Sequence, residues 1–194
     1  MDNIIYLFGA SCSGKSTLGK ALQNSLGSGW TYIDRDILIE HGLCTDLTAN
    51  SALDKKVYVI ATRVIVDAQI PWRKKRDGEL YFLVLPPLKV LLERDSARTV
   101  LLKRTEKQAY YANEYVRETY ESLDRMEKTE FDYCFDSSQI SVQDEVNIIK
   151  GFLTHSPQSD IEVKYKCITI AGLAFSLICA FILYKNLTIF KQID

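Results

Sequence analysis

The sequence is short of the features that would assign it to an extracellular or a nucleic-acid-binding class. Its five cysteines, Cys12, Cys44, Cys134, Cys167 and Cys179, are scattered, with no CxxC pair and no metal-ligand spacing. Neither a disulfide framework nor a zinc site is indicated, and a reduced compartment is expected. There is no excess of charge: 24 basic against 25 acidic residues leave a net charge of -1. That balance gives no bulk attraction to an anionic surface and points to no nucleic-acid partner. Any phosphate binding must therefore be local. No basic region followed by a long apolar stretch opens the chain, so a cleaved signal peptide is not expected. Internal repeats and low-complexity segments are absent. With 194 residues, one α/β domain with an appendage is expected rather than two full domains.

What is present alternates between two periods. Ile4-Ile5-Tyr6-Leu7-Phe8 is an apolar run bounded by Gly9, as a strand buried on both faces would be. From Lys15 to Leu26 the apolar residues Leu18, Ala21, Leu22 and Leu26 recur at helical spacing, and Gly27 supplies a stop. Further strands are expected at Thr31 to Asp34, Val64 to Val66, Leu80 to Leu85 and Asp132 to Asp136. Helical stretches are expected around Ser51 to Ala61, Leu88 to Arg98, Glu106 to Leu123 and Val142 to Leu153. This alternation predicts a three-layer α/β fold of the P-loop NTPase type, with a five-stranded parallel sheet covered by helices on both faces.

The strongest local signal is Gly9-Ala10-Ser11-Cys12-Ser13-Gly14-Lys15-Ser16, followed by Thr17, which fits GxxxxGK[ST] between a strand and a helix. Such a loop turns successive N–H groups and a helix N-terminus toward a phosphate. Gly9 to Thr17 are therefore expected to bind ATP, with Lys15 reaching the β and γ phosphates and the Ser16 hydroxyl serving Mg2+. A glycine-rich turn capped by Ser13 or Ser16 is the plainer alternative.

The second strand ends in Asp34-Arg35-Asp36. Two carboxylates two residues apart, just past a strand, reach the crevice at the C-terminal edge of an open α/β sheet. One can hold magnesium or its waters, and the other can accept the proton of an attacking hydroxyl. The alternative for Asp36 is a cap on a helix starting near Ile37.

GASCSGKSTLGKAL followed by YIDRDILIEHG resembles the opening of shikimate kinase and its relatives, and Gly29-Trp30 before the strand is similar to the chloramphenicol phosphotransferase branch of that superfamily. The resemblance continues at lower specificity through Val64 to Asp67, through Phe82 to Pro87 with Arg94 and Arg98, and through Phe131 to Ser138, whose loop would pass near the adenine. It covers nearly all of residues 3–153. It implies that Lys15 and Ser16 handle phosphate and metal, that Asp34 and Asp67 support the metal, and that Asp36 receives the acceptor hydroxyl. Arg94 and Arg98 would close over the phosphates, with Arg104 and Lys103 as weaker lid residues; pairing with Glu93 or Asp95 on a solvated helix is the alternative. His41 and His155 have no partner at a recognisable spacing.

The chain also departs from that pattern. Where shikimate kinases carry a glycine-rich substrate loop, it has Ala68-Gln69-Ile70-Pro71-Trp72-Arg73-Lys74-Lys75-Arg76. Shikimate is thereby disfavoured, and the Gly-aromatic-Pro-Arg segment of a nucleoside monophosphate kinase is missing too. The basic run Arg73 to Arg76 either holds an anionic or aromatic substrate or is a solvated loop.

Cys167 to Tyr184 has no charged residue over 18 positions and is flanked by Lys164, Lys166 and Lys185. At 1.5 Å per residue it spans about 27 Å, enough for a hydrocarbon layer. Residues 1–155 are thus expected as a kinase domain, 156–166 as a linker, 167–186 as a transmembrane helix and 187–194 as a short tail. The need for ATP would place the domain on the cytosolic side of a membrane that the chain crosses once. The expectation is an ATP-dependent phosphotransferase acting on the hydroxyl of a small molecule. Its rivals are a kinase of a nucleotide, nucleotide-sugar or protein acceptor, and a nucleotide-dependent membrane adaptor or switch. The sequence leaves the oligomeric state open.

Overall fold

A computed structural model describes residues 3–42, 45 and 63–154. Five parallel strands, β1 (Asn3–Phe8), β2 (Thr31–Asp34), β3 (Arg63–Asp67), β4 (Glu79–Val84) and β5 (Tyr133–Phe135), form one sheet in the order β2-β3-β1-β4-β5. The described helices are α1 (Lys15–Leu26), α2 (Arg35–Glu40), α3 (Leu88–Leu101), α4 (Glu106–Asp124) and α5 (Val142–Thr154), with a 3-10 turn at Lys128–Glu130. Met1–Lys150 make up one compact unit. The helix expected around Ser51 to Ala61 lies outside the described residues, as does His155.

The central strand explains the layering. Ile5, Tyr6, Leu7 and Phe8 are all fully buried, which a strand achieves only when both faces are covered. Helix α1 packs on β1, β2 and β3. Tyr6 and Phe8 join Tyr81, Leu83, Leu91, Val116, Leu123 and Phe131 in the core under α3 and α4, with the Phe8 and Tyr81 rings edge-on at 4.9 Å. Helix α4 opens with a capping box, in which Thr105 and Gln108 satisfy each other's backbone N–H groups.

Two alternatives that the sequence leaves open are narrowed by the structure. In the basic run after β3, Arg73 is occupied within the chain: it clamps both oxygens of buried Glu79, at 2.6 and 2.8 Å, and donates to the Tyr6 and Tyr81 hydroxyls. Lys75 pairs with Asp132 at 2.7 Å. Glu79 is the first residue of β4, so this clamp sits at the sheet edge opposite the P-loop. Likewise, α2 begins at Arg35 rather than near Ile37, and its cap is Asp34 rather than Asp36. The expected transmembrane segment 167–184 lies outside the described residues; among those described, no helix is long and apolar enough to cross a membrane.

Candidate active site

The P-loop leaves β1 at Gly9 and curls under backbone constraints that fix its residue types. A Cβ on Gly9 would lie 2.3 Å from the Val84 carbonyl oxygen and 2.6 Å from Ser13 Oγ, so no side chain fits. Cys12 and Gly14 hold positive φ, 65° and 106°, which turns the loop into the first turn of α1. Gly14 is the N-cap there without a side-chain cap, so the first N–H groups of α1 remain available to a phosphate. Ser13 Oγ is buried and makes no hydrogen bond among the described residues. A cradle with a tight glycine, an uncapped helix start and an unpaired buried hydroxyl fits a phosphate.

At the end of the cradle lies a web of carboxylates. The register pairs Asp34 on β2 with Asp67 on β3 and Leu7 on β1 with Asp67, so both aspartates emerge beside the P-loop. Ser16 Oγ donates to Asp67 Oδ2 at 2.7 Å, and the Tyr32 hydroxyl donates to the same oxygen at 2.8 Å while standing 3.2 Å from Asp34 Oδ2. Lys15 Nζ donates to the Ala10 carbonyl at 3.1 Å and lies 3.9 Å from Asp67 Oδ1. Burial pushes the Asp67 carboxyl above the usual range, and the Lys15 charge opposes it. Burial and the neighbouring carboxylate charge of Asp67 push the Tyr32 hydroxyl well up, so it stays a donor at neutral pH. The hydroxyl and carboxylates suit Mg2+, which takes oxygen ligands and keeps waters and phosphates for its remaining positions. Among the described residues, no three His, Cys, Asp or Glu side chains converge into an all-protein cage.

Asp36 stands apart from this web. Its side chain is 73% exposed, on the first turn of α2, with the Arg35 guanidinium 3.6 Å away.

On the other side lies a cavity of 520 Å3 lined by Cys12 to Thr17, Arg94, Arg98, Ser137, Val142 and Glu145. Arg94 differs from the lid role expected of it. Its Nη1 donates to the Cys12 and Ser13 carbonyls and to Ser137 Oγ, and Nη2 donates to the Ser137 carbonyl at 3.0 Å. The side chain latches the P-loop to the segment after β5, and Ser137 Oγ closes the latch by donating to Ser13 O at 2.6 Å. Arg98, one turn on, is exposed and lines the cavity. Arg104, after the end of α3, pairs with buried Asp95 at 2.8 Å. Lys103 occupies a left-handed turn residue after α3, and exposed His41 is the C-cap of α2.

Three residues of the site carry no motif of their own. Tyr32 is legible in principle, since strand alternation places it on the same side as Asp34 two residues later. Ser137 lies in the Phe131 to Ser138 segment that the resemblance places near the adenine, but its ties to Arg94 and Ser13 are not local. Glu145 gives no local signal, because the P-loop and Arg94 come from far along the chain.

The family of chloramphenicol phosphotransferase-like proteins matches residues 2–82. No curated protein matches the sequence. Among solved structures, shikimate kinase from Bacteroides thetaiotaomicron is 17% identical with a TM-score of 0.54, covering 78% of this chain and 98% of its own. Shikimate kinase from Acinetobacter baumannii, in complex with shikimate, is 16% identical with a TM-score of 0.51, covering 79% and 93%. An uncharacterised protein from Eubacterium ventriosum is 13% identical with a TM-score of 0.56, covering 80% and 100%. At these identities the likeness is one of fold, and the fold is kinase-like: a P-loop α/β sheet flanked by helices.

Proposed function

We propose that this chain is an ATP-dependent phosphotransferase that moves the γ-phosphoryl group to a hydroxyl of a small molecule, with its catalytic domain tethered to a membrane and facing the cytosol. The observation that carries the reading is the division among three aspartates at one sheet edge. Asp34 and Asp67 are turned inward to Tyr32 and Ser16, whereas Asp36 is 73% exposed beside them. A nucleotide switch needs the first two; an exposed carboxylate at the mouth serves an acceptor.

Lys15 and the N–H groups at the start of α1 would hold the β and γ phosphates, and Ser16, Asp34 and Asp67 would hold Mg2+ directly or through water. Bound there, the metal neutralises charge on the phosphates. Asp36 orients the acceptor hydroxyl and takes its proton as the acceptor oxygen bonds to the γ-phosphorus. The bond from that phosphorus to the β–γ bridging oxygen breaks, ADP leaves, and Asp36 returns the proton to solvent. Arg98 is the exposed cation suited to the charge on the transferring group. The resemblance to shikimate kinases and to chloramphenicol phosphotransferase-like proteins supports the reaction class, and the absence of a glycine-rich substrate loop argues against shikimate itself.

Tethering rests on the uncharged run Cys167 to Tyr184 with its lysine flanks. Two experiments test the reading. MgATP titrated calorimetrically into the parent should bind, and into Lys15→Ala should bind much more weakly; equal binding overturns the P-loop assignment. Alkaline carbonate should leave the full chain in the membrane pellet, and its release would remove the tether.

A further inference from the structure

The cavity beside the P-loop contains a carboxyl group that phosphoryl transfer leaves without a task. Glu145, in the first turn of α5, lines this cavity. The residue is 2% exposed, and its Oε1 has no hydrogen-bond partner among the described residues. Buried polar atoms are nearly always paired, so an orphaned carboxyl facing a cavity points to an occupant that supplies the partner.

The surroundings narrow the occupant. Lys15 and Ser16, engaged with Asp67, fix the end where the β and γ phosphates and their metal belong. Thr17, Val142, Arg98 and Glu145 line the same cavity. An aliphatic side chain, a planar guanidinium and a carboxyl are the parts of a site for a flat heterocycle: the first two can cover its faces, and the third can read its edge. We propose that Glu145 reads the purine of the bound nucleotide, its carboxylic acid accepting from the exocyclic amine of adenine and donating to the adjacent ring nitrogen. The proposal rests on the reading of this cavity as the ATP site.

Protonation then decides which purine is preferred. Burial pushes the Glu145 carboxyl up to about 7, and the Arg94 charge opposes that rise. The other charged groups lining the cavity are Lys15 from α1 and Arg98 from α3. A protonated carboxyl offers one donor and one acceptor, which matches the edge of adenine. An ionised carboxylate offers acceptors alone, which match the ring N–H and 2-amino group of guanine. Raising the pH through 7 should therefore move the site from adenine toward guanine.

The test uses the full chain in detergent, titrated with MgATP, MgGTP and inorganic tripolyphosphate at pH 6 and pH 8, for the parent, Glu145→Gln and Glu145→Leu. The ratio of ATP to GTP affinity cancels the titration of the phosphates themselves. In the parent this ratio should fall by up to about a hundredfold from pH 6 to pH 8, following the ratio of protonated to ionised carboxyl. Glu145→Gln, with a permanent donor and acceptor, should keep the ATP preference at both pH values, and Glu145→Leu should lose discrimination. Tripolyphosphate should bind all three alike. If the ratio is the same in all three proteins at both pH values while tripolyphosphate binds normally, Glu145 is not the base reader and the ATP site stands. If neither ATP nor tripolyphosphate binds the parent, the site and the base reading fall together.

Discussion

Asp34 holds the helix that carries Asp36: its Oδ1 accepts the Asp36 backbone N–H at 2.9 Å, while its Oδ2 stands 3.2 Å from the Tyr32 hydroxyl. The cap is thus Asp34, and the exposed Asp36 carboxylate is left free of the capping role that would have explained it away. Replacing Asp36 with Asn keeps its shape and removes only the charge that attracts the acceptor proton. Phosphoryl transfer should fall by roughly 10² to 10⁴ at unchanged MgATP affinity, toward the lower end because phosphoryl transfer is often loose. Steady-state rates alongside calorimetric MgATP binding check this. An Asp36→Asn protein that transfers as fast as the parent would return Asp36 to a surface role.

Asp34→Asn separates the metal role from the cap. Asn caps a helix as well as Asp does, so α2 should persist and the melting temperature should hardly move. With one carboxylate lost beside the metal position, the magnesium concentration for half-maximal rate should rise roughly tenfold or more, in the range that metal-supporting partners show. A magnesium titration of the rate reads this directly, and an unchanged requirement would remove Asp34 from the metal shell.

Arg94 and Arg98 should behave differently although they lie one turn apart. Arg94 ties two P-loop carbonyls to Ser137, so Arg94→Ala should cost about 2–3 kcal/mol of stability, the scale of hydrogen bonds to a charged group. Arg98 is exposed, and Arg98→Ala should change stability by less than about 0.5 kcal/mol. Its effect should appear in turnover instead. Denaturant melts and rates on both variants distinguish the two, and equal melting behaviour would contradict the latch.

Much of the fold and of the site is legible in the amino-acid sequence, for a physical reason: fully buried strands such as Ile4 to Phe8 and periodic helices such as Lys15 to Leu26 announce themselves locally. The P-loop is local as well. What escapes a local reading depends on distant partners. Glu79 reads as a polar loop residue until Arg73 clamps it, and it then opens β4 one residue earlier than expected. Asp34 takes the cap from Asp36 because β2 runs directly into α2. Arg94 reads as one of a pair of lid arginines until Ser137, 43 residues away, occupies it. Glu145 reads as one more charge on an amphipathic helix until the cavity beside the P-loop buries it.

That burial has a pH signature. The folded chain holds the Glu145 proton up to about pH 7, above the ordinary carboxyl value of 4.5, so the unfolded chain releases it first. The associated stability is present below about 4.5 and is lost as pH rises through about 7. Glu145→Gln carries no such proton, so relative to the parent it should gain stability between about pH 5 and pH 8. After allowance for water in the cavity, the gain should be about 1–2 kcal/mol. Thermal melts at the two pH values check it; a difference between variant and parent that stays constant would mean that Glu145 titrates normally.

The most direct measurement follows the γ-phosphoryl group itself. The full chain would be incubated with Mg2+ and ATP carrying 18O in the γ-phosphoryl group, against a panel of hydroxylated metabolites, nucleosides and antibiotics, with Lys15→Ala in parallel. Mass spectrometry would locate the label. The account predicts that the labelled phosphoryl group appears on the hydroxyl of a small molecule with the parent and on none with Lys15→Ala. Label that passes only to inorganic phosphate, whatever acceptor is offered, would contradict it and leave a nucleotide switch in its place.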